Sequence, residues 1–189
     1  MPTGRALEDP RTTLLDAGRR LLASEGPTAL TSRSVAVASG VAKGVLHRHF
    51  EDFDAYLAAL VTQDAARIQA IEPRVAGTAP AAVTDVIEQV FTPTTVGLVA
   101  LVISRDGVRR RARPVGAFGI PLLMDATAAV VDVLAAGRDV GWIRADADVA
   151  ALALALVGSA HLLYAGDRGA FPDHTAVHEV VTSILAGSL

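Results

Sequence analysis

The chain has 189 residues, a formal net charge of −3 and no cysteine, and 51% of its residues are hydrophobic. This length can bury a real core, and the hydrophobic fraction excludes an intrinsically disordered chain. Without cysteine there is no disulfide framework, zinc ribbon or thiol nucleophile, which fits a reducing compartment. The first ten residues are polar and contain no apolar run, so we expect no secretory signal and a cytoplasmic protein.

One uncharged run, residues 149–166, reaches the length at which a membrane-spanning helix must be considered. It is rich in alanine and contains Ser159 and His161. It lies between Asp148 and Asp167, with no aromatic belt and no positive flank. We interpret it as a helix buried on most sides within the protein, and we expect no membrane association.

Charge is distributed unevenly along the chain. Residues 1–50 contain seven basic and four acidic residues, whereas residues 51–189 contain ten basic and sixteen acidic residues. A mildly basic N-terminal part on an acidic body predicts that any polyanion binds near the N-terminus.

The apolar residues recur at helical spacing along the whole chain, and no segment alternates with the period of a β-strand. The sequence therefore predicts an all-α fold. The fourth helix begins at Asp52 or Asp54, and the sixth is capped by Thr94 or Thr95. The five arginines within residues 105–113 are interpreted as part of a solvated loop, and recruitment of an acidic ligand or a phosphate is the alternative. The predicted helices cover residues 9–26, 31–40, 42–49, 52–72, 80–91, 94–105, 121–140, 146–165 and 175–186.

Two short helices within residues 31–50 have the spacing of a helix-turn-helix motif. Ala36 is small where the helices would touch, and Gly40, four residues later, tolerates the positive φ that a tight turn requires. Leu46 would fix the second helix against the first, and Val41 would fill the turn. This motif presents its second helix to a DNA major groove, although an ordinary corner in a helical bundle has the same spacing.

The wider segment from Arg11 to Leu57 resembles the DNA-binding domain of TetR-family transcriptional regulators. The resemblance rests on a leading helix that ends in LLASEG, on LTSRSVAVASGVAKGVLHRHF, and on the acidic and aromatic entry into the fourth helix. It implies a three-helix DNA-binding domain at residues 1–55. A long helix would join this domain to a helical effector-binding and dimerisation domain at residues 56–189.

The resemblance implies DNA contacts from the first turn of the second helix and from the third helix. Thr31 would offer its hydroxyl and nearby N–H groups to a phosphate, and Arg33 would reach a phosphate or a guanine edge. Lys43, the only lysine, suits a phosphate contact, whereas Gly44 and Val45 would lie on the exposed front against the bases. The full predicted set is Thr31, Ser32, Arg33, Ala42, Lys43, Gly44, Val45, His47, Arg48 and His49.

Three departures from the family pattern bear on DNA affinity. His47 stands where the family usually has tyrosine, and Ala42 replaces a serine or threonine that would cap the third helix. At the entry to the fourth helix the usual lysine is missing, and acidic residues stand at positions 51, 52 and 54. Because acids beside phosphates oppose binding, we expect a modest or strongly salt-dependent affinity.

The resemblance also implies a small-molecule effector in the C-terminal domain and a homodimer formed through the last two helices. Few charges occur in these helices, so the effector would be largely apolar. For each candidate pocket residue, ordinary core packing is the competing interpretation. The candidates are Phe91, Thr95, Phe118, Met124, Trp142, His161 and Tyr164.

The motif and the resemblance together predict a sequence-specific DNA-binding regulator, most simply a repressor that its effector releases from a pseudo-palindromic operator. The sequence does not determine the sign of regulation, so an activator is the open alternative to a repressor. The alternative is a helical ligand-binding or partner-binding protein with a degenerate helix-turn-helix. No nucleotide-binding, hydrolase or metalloprotease motif occurs, so we predict no enzyme and no cofactor. His174 and His178 have the spacing of two metal ligands on one helix face, but no third ligand is evident and no metal site is predicted.

Overall fold

The computed structural model describes residues 9–42, 44–114, 116, 118–166 and 171–189. Within these ranges the chain forms ten α-helices and a short 3-10 turn at Pro27–Ala29, and no β-strand occurs. The predicted all-α fold is therefore confirmed. The helices are α1 Pro10–Glu25, α2 Ser32–Ser39, α3 Val45–His49, α4 Phe53–Gln69, α5 Ala79–Val90, α6 Pro93–Ser104, α7 Asp106–Ala112, α8 Leu123–Asp139, α9 Val149–Tyr164 and α10 His174–Leu185.

Side-chain caps set most of the helix starts. Asp9 accepts a hydrogen bond from the N–H of Arg11 at 3.1 Å, and Asp52 accepts one from Ala55 at 2.7 Å. Asp148 and Asp173 cap α9 and α10 in the same way. Each cap satisfies an N–H group that the first turn of a helix leaves without a partner, so these local signals are readable in the sequence.

Several predicted helix boundaries were wrong by up to three residues, and two of these errors have a clear local reason. The third helix begins at Val45 instead of position 42, with Gly44 before it, because Ala42 offers no side chain to cap the start. The sixth helix is capped by Thr92 instead of Thr94 or Thr95. Pro93 occupies its first position, where a missing N–H costs nothing.

Helix α7 also corrects the sequence analysis, because most of residues 105–113 are helical instead of forming a loop. Val108 is fully buried there, and α7 packs against α4. A seven-residue helix is too short to be stable by itself, so this tertiary contact accounts for it.

Helices α1, α2 and α3 pack around Leu14, Leu22, Val35 and Leu46, and α4 leads from them into a bundle of the remaining helices. The two parts touch directly. Gly97 of α6 lies so close to α1 that a Cβ atom there would be 3.1 Å from Leu22 Cδ2. In the bundle, α8 packs against α9 and α5, and α10 packs against α5 and α9. The predicted arrangement of two helical parts joined by a long helix is confirmed.

Helix α9 is less enclosed than predicted. Its face with Leu156 and Val157 is buried, but the opposite face leaves Leu154 62% and Leu162 77% exposed. No helix of the described part of the chain covers that face. Among the described residues no single helix is long and apolar enough to cross a membrane. Helices α5 and α6 together have that length and composition, but they are bent by 67°.

Candidate nucleic-acid interface

The residues predicted to form the helix-turn-helix occupy the expected places. Ala36 and Leu46 are buried between the helices, and Val41 packs against the core at the turn. Gly40 has φ +68°, the left-handed conformation that favours glycine, and its N–H donates to the carbonyl of Val37 at 3.2 Å. The turn therefore fixes the angle between α2 and α3.

Aromatic packing holds α3 against the helices on either side. Phe50, directly after α3, meets the ring of Tyr56 edge-on at 5.1 Å, and the guanidinium of Arg11 lies 5.3 Å from the Phe50 ring centroid. The Tyr56 hydroxyl donates to the carbonyl of Leu14 at 2.9 Å, which joins α4 to α1. Burial of Tyr56 raises the pKa of its hydroxyl, so it remains a donor. These contacts give α3 a rigid support.

The exposed side of this support carries most of the predicted DNA contacts. Arg33, His47, Arg48 and His49 are exposed, as are Ala42 and Gly44. Ser32 is half-buried. Lys43 lies outside the described residues. The described members of this set form an exposed surface that carries the guanidinium groups of Arg33 and Arg48.

Val45 differs from the expectation that it lies on the exposed front. It is half-buried and packs against the core, because α3 begins at this residue and its first turn faces α1 and α2. Little of its side chain is left for a thymine methyl group.

Thr31 caps α2 through a reciprocal pair of hydrogen bonds with Ser34. Its hydroxyl accepts from the N–H of Ser34 at 3.1 Å, and the Ser34 hydroxyl accepts from the N–H of Thr31 at 2.9 Å. In this capping box the Thr31 oxygen acts as an acceptor, so the bond from Ser34 does not use the hydroxyl hydrogen that a phosphate would accept. The N–H groups of Ser32 and Arg33, in the first turn, are also donors suited to an anion.

The acidic residues at the entry to α4 are neutralised by arginines from the other part of the chain. Arg111 of α7 lies 2.8 Å from Asp52 and 3.7 Å from Glu51, and Arg105 binds Asp54 through Nε at 2.9 Å. Sequence analysis missed these partners, because they are more than fifty residues away in the chain. The pairing reduces the repulsion that these carboxylates would exert on a nearby phosphate.

Residues 14–60 match the family model of bacterial regulatory proteins of the tetR family. This segment is therefore a DNA-binding domain of the tetR type. The match covers α1 to α3 and the first half of α4, the part whose geometry is described above. Together with the all-helical fold, this match supports a DNA-binding transcriptional regulator. A search of curated protein sequences gives no match.

Solved structures share the fold of this chain over most of its length. NemR of E. coli in its reduced form is 18% identical with a TM-score of 0.67, and the match covers 95% of both chains. GusR of Salmonella enterica is 18% identical with a TM-score of 0.65, covering 96% of this chain and 100% of the other. FadR of Bacillus subtilis, in complex with stearoyl-CoA, is 18% identical with a TM-score of 0.65, covering 94% and 99%.

Three of the seven candidate effector residues come together. The rings of Phe91 and Tyr164 stack with centroids 5.1 Å apart, and His161 lies 6.5 Å from Phe91. We call Phe91, His161 and Tyr164 the aromatic cluster. The Nδ1 atom of His161 is buried and has no hydrogen-bond partner among the described residues. Burial lowers the pKa of this imidazole.

The other four candidates lie outside the aromatic cluster. Thr95 is buried but bonds to Asp64 at 2.7 Å and to Arg67 at 2.9 Å, so it belongs to a polar network between α4 and α6. Trp142 is half-buried beside Gly137. Phe118 is 88% exposed and Met124 is 45% exposed. Surface grooves of the described chain lie along the α4–α5 connection and between α1, α4 and α7, and residues other than the seven line them.

Proposed function

We propose that this chain is a homodimeric repressor that binds a pseudo-palindromic operator and leaves it when a small, largely apolar effector binds the C-terminal domain. One observation carries the DNA-binding part of the proposal. Helices α2 and α3 present an exposed basic face, and their other side is buried around the turn at Gly40. Domain boundaries at residues 1–55 and 56–189 and action in the cytoplasm are parts of the same proposal.

Within this proposal, Arg33 and Arg48 project from the helix-turn-helix toward DNA, and Lys43 adds a phosphate contact. Phosphate contacts supply affinity that falls as salt rises, whereas a base contact also supplies sequence preference. The ten predicted residues remain the proposed interface. Thr31 both caps α2 and offers its hydroxyl hydrogen to a phosphate, and Val45 acts mainly through packing.

The proposed dimer forms through α9 and α10. Leu154 and Leu162 leave an apolar face of α9 uncovered, and Ala151, Ala155 and Gly158 on the same side are small enough for a second helix to approach. A two-fold dimer would place its reading helices about one DNA turn apart, roughly 34–36 Å, or a multiple of that.

The proposed effector site includes the aromatic cluster. An apolar ligand with one polar group would pack against Phe91 and Tyr164 and bond to the unpartnered Nδ1 of His161. The remaining candidates, Thr95, Phe118, Met124 and Trp142, stay untested as pocket residues. The stearoyl-CoA complex of FadR supports an apolar effector, because that protein has the same fold.

Selection of bound duplexes from a random DNA pool tests DNA recognition. We expect an enriched inverted repeat. Lys43→Ala should weaken binding to all sequences and lower the salt slope by about one, and Arg33→Ala should relax one base position by about 1–3 kcal/mol if it reads a base. Arg144→Ala is the matched control, because it removes an exposed arginine on the loop before α9.

Absence of any enriched sequence at low salt would contradict the proposal and favour the alternative, a ligand-binding or partner-binding protein with a degenerate helix-turn-helix. The acidic residues at positions 51, 52 and 54 suggested that alternative, because unpaired carboxylates would repel DNA. Their ion pairs with Arg105 and Arg111 argue against it.

Light scattering at micromolar concentration tests the dimer. The wild type should have twice the monomer mass, and Leu162→Glu should give the monomer mass, because a charge would be buried in the interface. Ile103→Glu, at an exposed apolar residue of α6, is the control and should remain dimeric. A monomeric wild type would reject this part of the proposal.

Release of the selected operator in the presence of small apolar compounds tests the effector site. For a compound that releases DNA, His161→Leu should weaken the response, whereas Val140→Ala, at an exposed residue that is not a candidate, should not change it. An unchanged response of His161→Leu, together with a weakened response of the control variant, would place the effector site outside the aromatic cluster.

A further inference from the structure

Helix α7 brings an arginine from the body of the protein to the edge of the proposed DNA surface. Arg111 binds Asp52 at 2.8 Å and lies 3.7 Å from Glu51, both in the short segment between α3 and α4. Asp52 is three positions after His49, the last residue of α3, so their Cα atoms lie within about 11 Å of each other. Because Arg48 and His49 are exposed on α3, Arg111 extends the exposed basic surface of the helix-turn-helix.

A second arginine lies on the other side of the same segment. Arg11 of α1 and Arg111 of α7 line one surface groove, and Glu51 lines it with them. The guanidinium of Arg11 lies 5.3 Å from the centroid of the Phe50 ring. Positive charge from two helices therefore flanks residues 50–52, and a phosphate beside α3 would be attracted to this end of the surface.

The guanidinium of Arg111 has donors to spare. Both of its acidic contacts use the Nη2 atom, and its Nε and Nη1 atoms make no hydrogen bond within the described residues. Arg105, by contrast, gives Nε and Nη2 to Asp54, and Arg109 is paired within α7 itself. Since a guanidinium presents five N–H groups in a planar fork, Arg111 can keep its bond to Asp52 and bind a phosphate through the other nitrogens.

We propose that Arg111 binds a phosphate of the DNA backbone beside the phosphates contacted by the helix-turn-helix. The inference rests on the proposed DNA binding and adds a contact from outside the DNA-binding domain. A duplex carries one phosphate per strand for roughly every 3.4 Å of its axis, so several lie within reach of the segment after α3. Because Arg111 is part of α7, DNA affinity would depend on the packing of α7 against α4.

The competing role for Arg111 is to neutralise the two acids without touching DNA. The double variant Glu51→Gln, Asp52→Asn separates the two roles, and we call it the acid-free variant. Asparagine retains the cap of α4, because its side-chain oxygen can accept the same N–H group of Ala55. In the acid-free variant, Arg111→Gln should weaken DNA binding if Arg111 contacts a phosphate and should have no effect if it only neutralises the acids.

Fluorescence anisotropy with the selected operator duplex, from about 50 to 200 mM salt, measures the contact. Arg111→Gln in the acid-free variant should lower the salt slope by about 0.9, so that its Kd rises about threefold less over this range than that of the acid-free variant. An unrelated duplex should show the same loss, because a phosphate contact carries no sequence information. Glutamine retains part of the aliphatic stem, so circular dichroism should stay unchanged.

Arg109→Gln in the acid-free variant is the matched control. Arg109 is on the same helix, and its side chain is 35% exposed, as is that of Arg111, but its partner is Asp106. The control should leave the salt slope unchanged. Arg111→Lys should retain most of the slope, because the lysine ammonium also binds phosphate as a point charge.

Two outcomes overturn the inference in different ways. If the wild type binds neither duplex at about 50 mM salt, the proposed function fails and this contact fails with it. If the wild type binds DNA but Arg111→Gln keeps the affinity and salt slope of the acid-free variant, or Arg109→Gln lowers the slope equally, only the phosphate contact of Arg111 is overturned.

Discussion

Arg105, at the C-terminal end of α6, binds Asp54 in the first turn of α4 through two guanidinium nitrogens, Nε at 2.9 Å and Nη2 at 2.5 Å. The bond joins the body of the protein to the helix that follows the DNA-binding segment. Gly107 lies against the same carboxylate, and a Cβ atom there would clash with Asp54. The absence of a side chain at position 107 therefore allows α4 and α7 to approach.

A double-mutant cycle on Arg105→Ala and Asp54→Asn should give a small coupling energy. Arg105 is 43% exposed, so water screens the pair and we expect about 1 kcal/mol or less. Urea unfolding at low and high salt measures it, and the coupling should shrink as salt rises. A coupling that is large and independent of salt would show that the pair acts as a buried one.

Gly18→Ala should destabilise the fold although alanine favours helices. The new methyl group would clash with the hydroxyl of Tyr56, which bonds to the carbonyl of Leu14. We expect a loss of about 1–3 kcal/mol in the free energy of unfolding. Adding Tyr56→Phe removes the clashing oxygen and should recover part of the loss. Urea unfolding of the two single variants and the double variant measures the effect, and simple additivity would refute the clash.

Asp64→Asn should be strongly destabilising. Asp64 is almost fully buried and binds Arg67 at 2.8 Å and the hydroxyl of Thr95 at 2.7 Å, while Arg67 also donates to the carbonyl of Gln89. Removal of one partner of a buried pair costs about 3–5 kcal/mol. Because Arg67 is partly exposed, we expect the lower end of that range. Asp85→Asn, at an exposed carboxylate of α5, is the control, and an equal effect of both changes would contradict the role of the network.

Stability should fall in acid partly through His161. Burial lowers the pKa of this imidazole below its ordinary value of 6.5, so the unfolded chain binds the proton more readily than the folded chain does. The contribution is present above pH 6.5 and is lost as the pH falls below that value. Urea unfolding at pH 5 and pH 8 should give a smaller difference for His161→Gln than for the wild type, since that variant cannot take up the proton. If the wild type and His161→Gln show the same difference in unfolding free energy between pH 5 and pH 8, His161 does not contribute to the loss of stability in acid.

Local signals determined much of this protein. The starts of α1, α2, α4, α9 and α10 follow from a capping side chain within three residues of the N–H group that it serves. The helix-turn-helix is equally local, because Ala36, Gly40 and Leu46 act within one short segment. Interactions between residues that are close in the sequence leave a pattern that can be read along the chain. The resemblance to the family pattern then identified the type of domain.

Only the tertiary structure decided which distant groups meet. Arg111 neutralises Asp52, and His174 is anchored by Glu88, across 59 and 86 positions of the chain. Helix α7 is stable because it packs against α4. The exposed face of α9 is the one that neither α8 nor α10 covers. Such contacts depend on the angles at which helices pack, and these follow from the shapes of whole helix surfaces instead of any local spacing.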